Sequence, residues 1–520
     1  MKIDLIRHVL CACVATLLCA FAAATTSPAA QPSDHTFRSL PKAQQTALDE
    51  LEHRTFDYFI ASANAANGQT ADHWPPRVNS DYFSSIASVG FGLTAYGIGV
   101  ERGWIKRDEA AKRTLAALRF FHAAPQGDDH DASGAHGFFY HFLDMETGRR
   151  FRGERWIELS SVDTAWLMYG VLFAQSYYDR NNADEKEIRR LADELFRAVD
   201  WKWFTDGNPL VEGGWTPENG FDYNYYRGYS EAIGIYILAL GSPTHRLDSE
   251  SWTRWTQTYD RTWGEFQGQL HLGGGPLFWH QYAYSWIDFR GIQDAYMRGK
   301  GIDYFTNAQR AALSQREYAI HNPMRWKGYG ADLWGLTACN GPRGRTPPGE
   351  PDRYASDPKP FYGYTARGAG LGYQIDDGTI APTAAVASIA FVPELVIPVI
   401  EAMKQRYGEA LYTRYGFVDA FNPSFTFTDR PLRTGKVDAQ LGWFDDEYIG
   451  IDQGPILLML ENYRSEFVWK VMRKNPYIRA GLERAGFSGG WLGKSPREHA
   501  VPPHSLPKQA KGKSADGRLQ

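Results

Sequence analysis

Helical apolar spacing recurs along most of this chain in two kinds of segment, and their alternation limits the folds available. Segments 84–100, 164–175, 232–240, 383–392 and 455–460 are apolar nearly all round. A helix without a polar face has to be buried on every side. Others, such as 107–122 and 184–200, carry a charged face beside an apolar one. Buried helices alternating with half-buried ones predict an all-α, double-ringed helical barrel, the (α/α)6 toroid. Helical spacing covers 43–63, 82–101, 107–122, 160–179, 184–203, 230–240, 252–266, 290–320, 383–405, 453–470 and 473–485, about eleven or twelve helices forming six hairpins. A doubly wound α/β sheet would need β-branched strands before each helix, and these are missing. Between the helices lie long loops rich in Gly, Pro, Trp and Tyr, with a small β-hairpin expected through 137–144 and 150–157 at the cleft.

The chain has 520 residues, 43% apolar and 22% charged, which describes an ordinary folded protein. No linker or composition break interrupts it, so 41–490 is read as a single domain. Residues 1–30 read as a signal peptide: Lys2 and Arg7 precede an uncharged apolar run, and Ala20, Ala22 and Ala24 fit a cleavage site. That predicts export to the periplasm or beyond, with no membrane association once the signal is removed. Cys11, Cys13 and Cys19 fall in the same segment, leaving Cys339 without a disulfide partner. Residues 496–520 are expected to be a disordered tail. The net charge is −4, and both the signal and the tail are basic, so the body between them is more acidic still. Such a body argues against nucleic acid as a partner. The excess lies instead in 17 Trp and 29 Tyr, side chains with an apolar face and a polar edge suited to sugars or bases.

The acids stand at the entrances to the buried helices. Glu158 and Asp163 flank Ser160, and Glu231 follows Ser230. Asp376 and Asp377 precede the helix at Pro382, and Asp445, Asp446, Glu447 and Asp452 precede the one at Pro455. In a double-ringed barrel the inner helices run parallel, so these carboxyls converge on one mouth. Glycosidic hydrolysis needs such a set: one acid protonates the leaving oxygen, and one carboxylate activates water. Each acid also has a structural reading, since Ser160-x-x-Asp163 is a capping box and Glu231 lies in a first helical turn. Glu231 is favoured as an acid because it sits between an aromatic loop and an all-apolar helix, where desolvation raises a carboxyl's pKa. Aromatic stretches around Tyr225 and Trp279 offer sugar platforms. His280, Asp288 and Arg290 are read as cleft lining.

Several motifs carry a family resemblance. Among them are Glu158-Leu159-Ser160-Ser161-Val162-Asp163-Thr164-Ala165, Leu240-Gly241-Ser242-Pro243-Thr244-His245, Asp376-Asp377-Gly378-Thr379-Ile380-Ala381-Pro382-Thr383 and Gly450-Ile451-Asp452-Gln453-Gly454-Pro455-Ile456. The stretch from about 45 to 487 resembles the bacterial glucoamylase-like family, whose members include endo-β-1,2-glucanases. The resemblance implies a single (α/α)6 barrel and an inverting hydrolase of linear or cyclic β-1,2-glucan, without metal or other cofactor. It implies Glu231 as general acid, Asp452 as general base with Asp446 and Glu447 as competitors, and Asp163 as a supporting acid. Residues expected to bind the glucan are Tyr225, Arg227, Trp279, His280, Gln281, Trp286, Asp288, Arg290, Asp377, Asp446 and Glu447. Two stretches depart from the family pattern, 341–373 and 426–443. Both are expected near the mouth, where they would bear on chain-end preference. A transglycosylase, an exo-acting enzyme and a non-catalytic glucan-binding protein are the competing readings; oligomeric state is left open.

Overall fold

The computed structural model describes residues 36–76, 82–153, 157–346, 352–355 and 359–493. The expected signal peptide and tail, with Cys11, Cys13 and Cys19, lie outside the described residues. The chain divides into two units, Met1–Leu40 and Pro41–Gln520. Of the first, a single 3-10 turn, Phe37–Ser39, is described. All helices that follow belong to the second.

They are α1 (Lys42–Ala61), α2 (Ile86–Glu101), α3 (Arg107–Ala123), α4 (Ser161–Tyr177), α5 (Ala183–Ala198), α6 (Ile233–Gly241), α7 (Ser249–Thr256), α8 (Tyr282–Trp286), α9 (Ala295–Lys300), α10 (Tyr304–His321), α11 (Pro382–Val386), α12 (Pro393–Tyr407), α13 (Gly450–Ser465), α14 (Phe467–Met472) and α15 (Pro476–Arg484). Burial sorts them as the sequence predicts, except that α8 is a buried helix where no helix was expected. Almost every residue of α2, α4, α6, α8, α11 and α13 is buried, whereas α1, α3, α5 and α12 bury one stripe. The buried helices neighbour one another in order. α2 packs on α4, α4 on α6 and α6 on α8; Gln281 beside α8 donates to Ala384 O of α11; α11 packs on α13, and α13 returns to α2. The α2–α4 approach is so close that a Cβ on Gly90 would sit 2.1 Å from Trp166 O. Only glycine lets two helix backbones meet in this way.

Side-chain caps fix where helices begin. Ser85, Ser160, Asn182 and Asp303 each accept a hydrogen bond from a backbone N–H in the first turn of the helix that follows. Short antiparallel pairs precede several buried helices: Phe83–Ser85 with Phe142–Asp144, Leu159–Ser160 with Gly214–Thr216, and His73–Trp74 with Tyr448–Ile449. The expected hairpin is present: the Asp144 N–H donates to Arg149 O at 2.9 Å, the Phe151 N–H donates to Phe142 O at 3.0 Å, and Leu143 bridges Arg150, while Phe142–Asp144 pairs on its other side with Phe83–Ser85. The helix expected over 290–320 is two, broken at Gly301, whose φ of 71° is left-handed. The stretch 252–266 ends not as helix but as a strand, Trp263–Phe266, paired with Gln269–Leu272.

Candidate active site

The first group of acids gathers at the start of α4. Ser160 Oγ accepts from the Asp163 N–H at 3.1 Å and donates to Asp163 Oδ2 at 2.5 Å, which closes the capping arrangement. His141 joins two carboxyls, with Nδ1 2.8 Å from Glu158 Oε1 and Nε2 3.4 Å from Asp163 Oδ2. Burial pulls the His141 pKa down, but the charges of Asp163 and Glu158 outweigh it and push it up to about 9. The imidazole is then a cation at neutral pH. Burial holds Asp163 above the usual carboxylate range, while His141 and Ser160 oppose that shift.

Glu231 stands in the turn entering α6. Its Oε2 is buried and accepts no hydrogen bond. Burial raises its pKa to about 7; the charge of Asp163 adds to this, and its own backbone N–H opposes it. The Tyr226 and Tyr373 hydroxyls lie in its field, and the Trp279 ring packs 5.8 Å from that of Tyr373. Glu231, Asp163 and Trp279 therefore share one neighbourhood.

Asp452 lies in the first turn of α13, 1% exposed, with both carboxylate oxygens lacking a hydrogen-bond donor. Burial pushes it up to about 7. The Asp419 carboxyl and the Tyr282 hydroxyl beside it favour its charged form, and Asp72 disfavours it. Asp419 is itself raised well above the carboxylate range by burial and by the charge of Asp452. Its Oδ1 also lacks a donor, while Oδ2 accepts from the Asn340 N–H at 2.7 Å. One proton shared between Asp419 and Asp452 would partner Asp419 Oδ1 and one of the two Asp452 oxygens, as expected when two like charges cannot both ionise. Asn340 Nδ2 donates to Asp445 at 2.9 Å and to Glu447 at 3.2 Å. The acid groups are continuous: Asp72 acts on both Asp163 and Asp452, and Tyr282 faces Asp452, Asp419 and Asp163.

Other expected site residues are placed elsewhere. Trp286 is fully buried among Phe91, Trp166 and Tyr169, and its indole N–H donates to Thr94. Gln281 is buried and holds Ala384 and Ser388. Trp286 ends the buried helix α8 and Gln281 caps its start, a helix that its short aromatic sequence disguised as a cleft loop. Asp288 is buried between Arg290 and Arg473, and Arg290 also pairs with Glu466 beyond the far end of α13. That is about 20 Å along the helix from Asp452 at 1.5 Å per residue. His280 is buried, hydrogen-bonded to the Tyr229 hydroxyl at 2.8 Å, and held well below its ordinary pKa by burial. Asp377 is fully buried, ion-paired to Arg367 at 2.7 Å, and accepts from the Tyr362 and Thr379 N–H groups. Each of these six side chains is held by partners within the protein, with that of Arg290 33% exposed. Asp446 is exposed and accepts from the Gly435 N–H, Glu447 is buried against Asn340, Arg227 is exposed, and Tyr225 is half-buried beside Glu212.

Sequence reasoning missed Asp72, Asp419 and Asn340. One signal was available for Asp419: a single charge inside the apolar run Phe417-Val418-Asp419-Ala420-Phe421 marks a buried acid. Among the described residues no group of three or more His, Cys, Asp or Glu side chains is arranged to hold a metal ion.

A family model described as "putative glucoamylase" matches residues 223–476. A solved structure of a putative glucoamylase from Bacteroides uniformis is 30% identical, with a TM-score of 0.73 over 87% of this chain and 100% of that one. An endo-β-1,2-glucanase from Chitinophaga pinensis, solved with sophorotriose and glucose, is 27% identical with a TM-score of 0.71, covering 86% of this chain and 99% of that one. A curated exo β-1,2-glucooligosaccharide sophorohydrolase (non-reducing end) from Parabacteroides distasonis is 28% identical over 472 residues, 85% of this chain and 58% of the relative. The chain thus spans a little under three fifths of the length of that curated relative. Its similarity to the Bacteroides uniformis structure runs over the whole of that protein, and on this ground the chain belongs to the glucoamylase-like family.

Proposed function

We propose that this chain is an exported glycoside hydrolase cleaving β-1,2-linked glucans by inversion, on an (α/α)6 barrel. Export rests on the charged and apolar opening of the sequence. The barrel rests on six buried helices that neighbour one another in order, each backed by a more exposed one. The substrate class rests on the names of the Chitinophaga and Parabacteroides relatives. In this reading the Glu231 carboxyl donates its proton to the glycosidic oxygen as the C1–O bond breaks. Asp452 takes a proton from the water that attacks C1 from the opposite face, so the product anomer is inverted.

The observation that carries the reading is the pair of carboxyls at Glu231 and Asp452, both pushed to about 7 and both with oxygens lacking donors, joined through Asp163 and Asp72. Their surroundings separate the two roles. The charge acting on Glu231 is that of Asp163, which keeps a proton on it. Asp419 and Tyr282 favour charge on Asp452. Inversion is the course implied by the family resemblance, and it requires the two carboxyls to stand about 6.5–9.5 Å apart, leaving room for the attacking water.

The test is incubation with linear and cyclic β-1,2-glucans beside β-1,3-, β-1,4- and α-1,4-glucans, reading product sizes by chromatography and anomers by NMR. The expected result is consumption of β-1,2-glucan with the α-anomer appearing first. Disaccharide as the sole early product means exo action, and a ladder of sizes means endo action. Turnover of the α-1,4-glucan alone, or of none, overturns the proposal.

A further inference from the structure

The sequence reading expects the stretch 341–373 to lie near the mouth, and the structure pairs part of it beside the site. The strand Ala338–Cys339 pairs with Thr365–Ala366, Cys339 opposite Thr365. One step further, Asn340 and Tyr364 lie side by side. Asn340 is the residue that holds Asp419, Asp445 and Glu447. The backbone on both sides of Tyr364 is clamped from below. Arg367, fully buried, donates from Nη2 to Gly363 O at 3.0 Å, and the Arg367 N–H donates to Thr365 O at 3.1 Å. Asp377 holds the same guanidinium and accepts from the Tyr362 N–H at 2.9 Å. Gly341 lies so close that a Cβ there would come within 2.2 Å of Arg367 Nη2. The buried Arg367–Asp377 pair thus fixes a loop rather than touching a ligand.

What the clamped loop presents is an aromatic ring. Tyr364 is 44% exposed, in a chain whose other tyrosines are, with few exceptions, buried or half-buried. Desolvation, and after it the charges of Asp452, Asp72 and Asp419, hold its hydroxyl well above the usual phenol range. Tyr364 thus combines an exposed side chain with a position one strand step from Asn340, the residue that holds Asp419. An apolar face beside a few polar groups is what a pyranose ring, with its axial C–H patch and equatorial hydroxyls, requires.

We propose that Tyr364 is a substrate-binding residue, its ring forming the stacking platform for a glucosyl unit next to the bond that Asp452 helps to break. This rests on the glucanase reading above and adds to it the residue that fixes the sugar on the Asp452 side. The backbone anchor makes the platform rigid before substrate arrives, which lowers the entropic cost of binding.

The test measures binding of β-1,2-linked glucopentaose to the full chain by calorimetry in an E231Q background, which prevents turnover. Y364A is expected to weaken binding about tenfold or more, as loss of a central aromatic contact does. Y364F, which keeps the platform and loses the hydroxyl, is expected to weaken it less. Being exposed, position 364 tolerates both changes without loss of fold, checked by an unchanged melting temperature. Equal affinity for Y364A and its parent overturns the assignment of Tyr364 alone. Failure of the E231Q parent itself to bind the pentasaccharide overturns the glucanase reading, and the Tyr364 assignment with it.

Discussion

The two ends of α13 both bury carboxylates, and they treat them in opposite ways. Around its C-terminus Asp288 has Arg290 and Arg473, Glu466 has Arg290, and Glu52 and Glu461 share Arg464. Around its N-terminus, among the described residues, none of Asp452, Asp419 and Glu231 forms an ion pair with Lys or Arg, whereas the buried oxygens without a donor on Glu52 and Glu461 at the other end belong to carboxylates that Arg464 holds. A buried charge without a partner is costly, so it persists only where something other than stability keeps it. The difference separates framework from machinery within one helix. It also explains Asp377, which lies near the mouth yet is saturated by Arg367 and so belongs with the framework.

The largest effect expected from this contrast is at the orphaned acids. Glu231→Gln and Asp452→Asn should each lower kcat on β-1,2-glucan by about 10²–10⁴-fold, the usual worth of general acid–base catalysis. Melting temperature should hold or rise, because each change removes a carboxyl whose charged form burial disfavours. A loss of less than tenfold at either position would remove that residue from the machinery.

The same contrast decides what could be read before the fold was known. Helices α2, α4, α6 and α13 were legible because burial on every side leaves an unmistakable apolar run. The five residues of α8 were not, since Tyr282-Ala283-Tyr284-Ser285-Trp286 is too short for periodicity and its aromatics look like a sugar platform. Glu231, Asp163 and Asp452 were legible because helix entrances carry local cap patterns. Asp72, Asp419 and Tyr364 were not. They sit on or beside very short strands, and long-range pairing alone brings them to the site: the Asp419 N–H meets Glu447 O, and Thr365 lies opposite Cys339.

Changes beside the orphaned acids should move pH limits more than rates. With both acids near 7, kcat/KM should follow a narrow bell about neutrality. Asp452 must be ionised to act as base, and Asp419 favours its charge. Asp419→Ala should therefore raise the Asp452 pKa and move the acidic limb up by about one pH unit, while Asp419→Asn, which keeps a donor, should move it less. Glu231 must be protonated to act as acid, and the charge of Asp163 helps keep it so. Asp163→Asn should lower its pKa and bring the alkaline limb down. Limbs that stay in place in both variants would show that these neighbours do not set the two pKa values.

The smallest effect on turnover is expected at the far end of α13, and it is the sharpest check on the contrast. Asp288→Asn leaves the Arg473 guanidinium without its carboxylate and strips Arg290 of one of two partners. Both arginines are about one-third exposed, so water screens part of the loss, and about 2–3 kcal/mol of stability should go, seen as a lower melting temperature. The chemistry lies about 20 Å away along a rigid helix, so kcat and both pH limbs should stay where they are at temperatures below the new melting point. A pH limb displaced by Asp288→Asn would mean that the arginine-paired end helps set the pKa of Asp452. The helix would then be a conductor between two working ends, and no longer a framework with machinery at one of them.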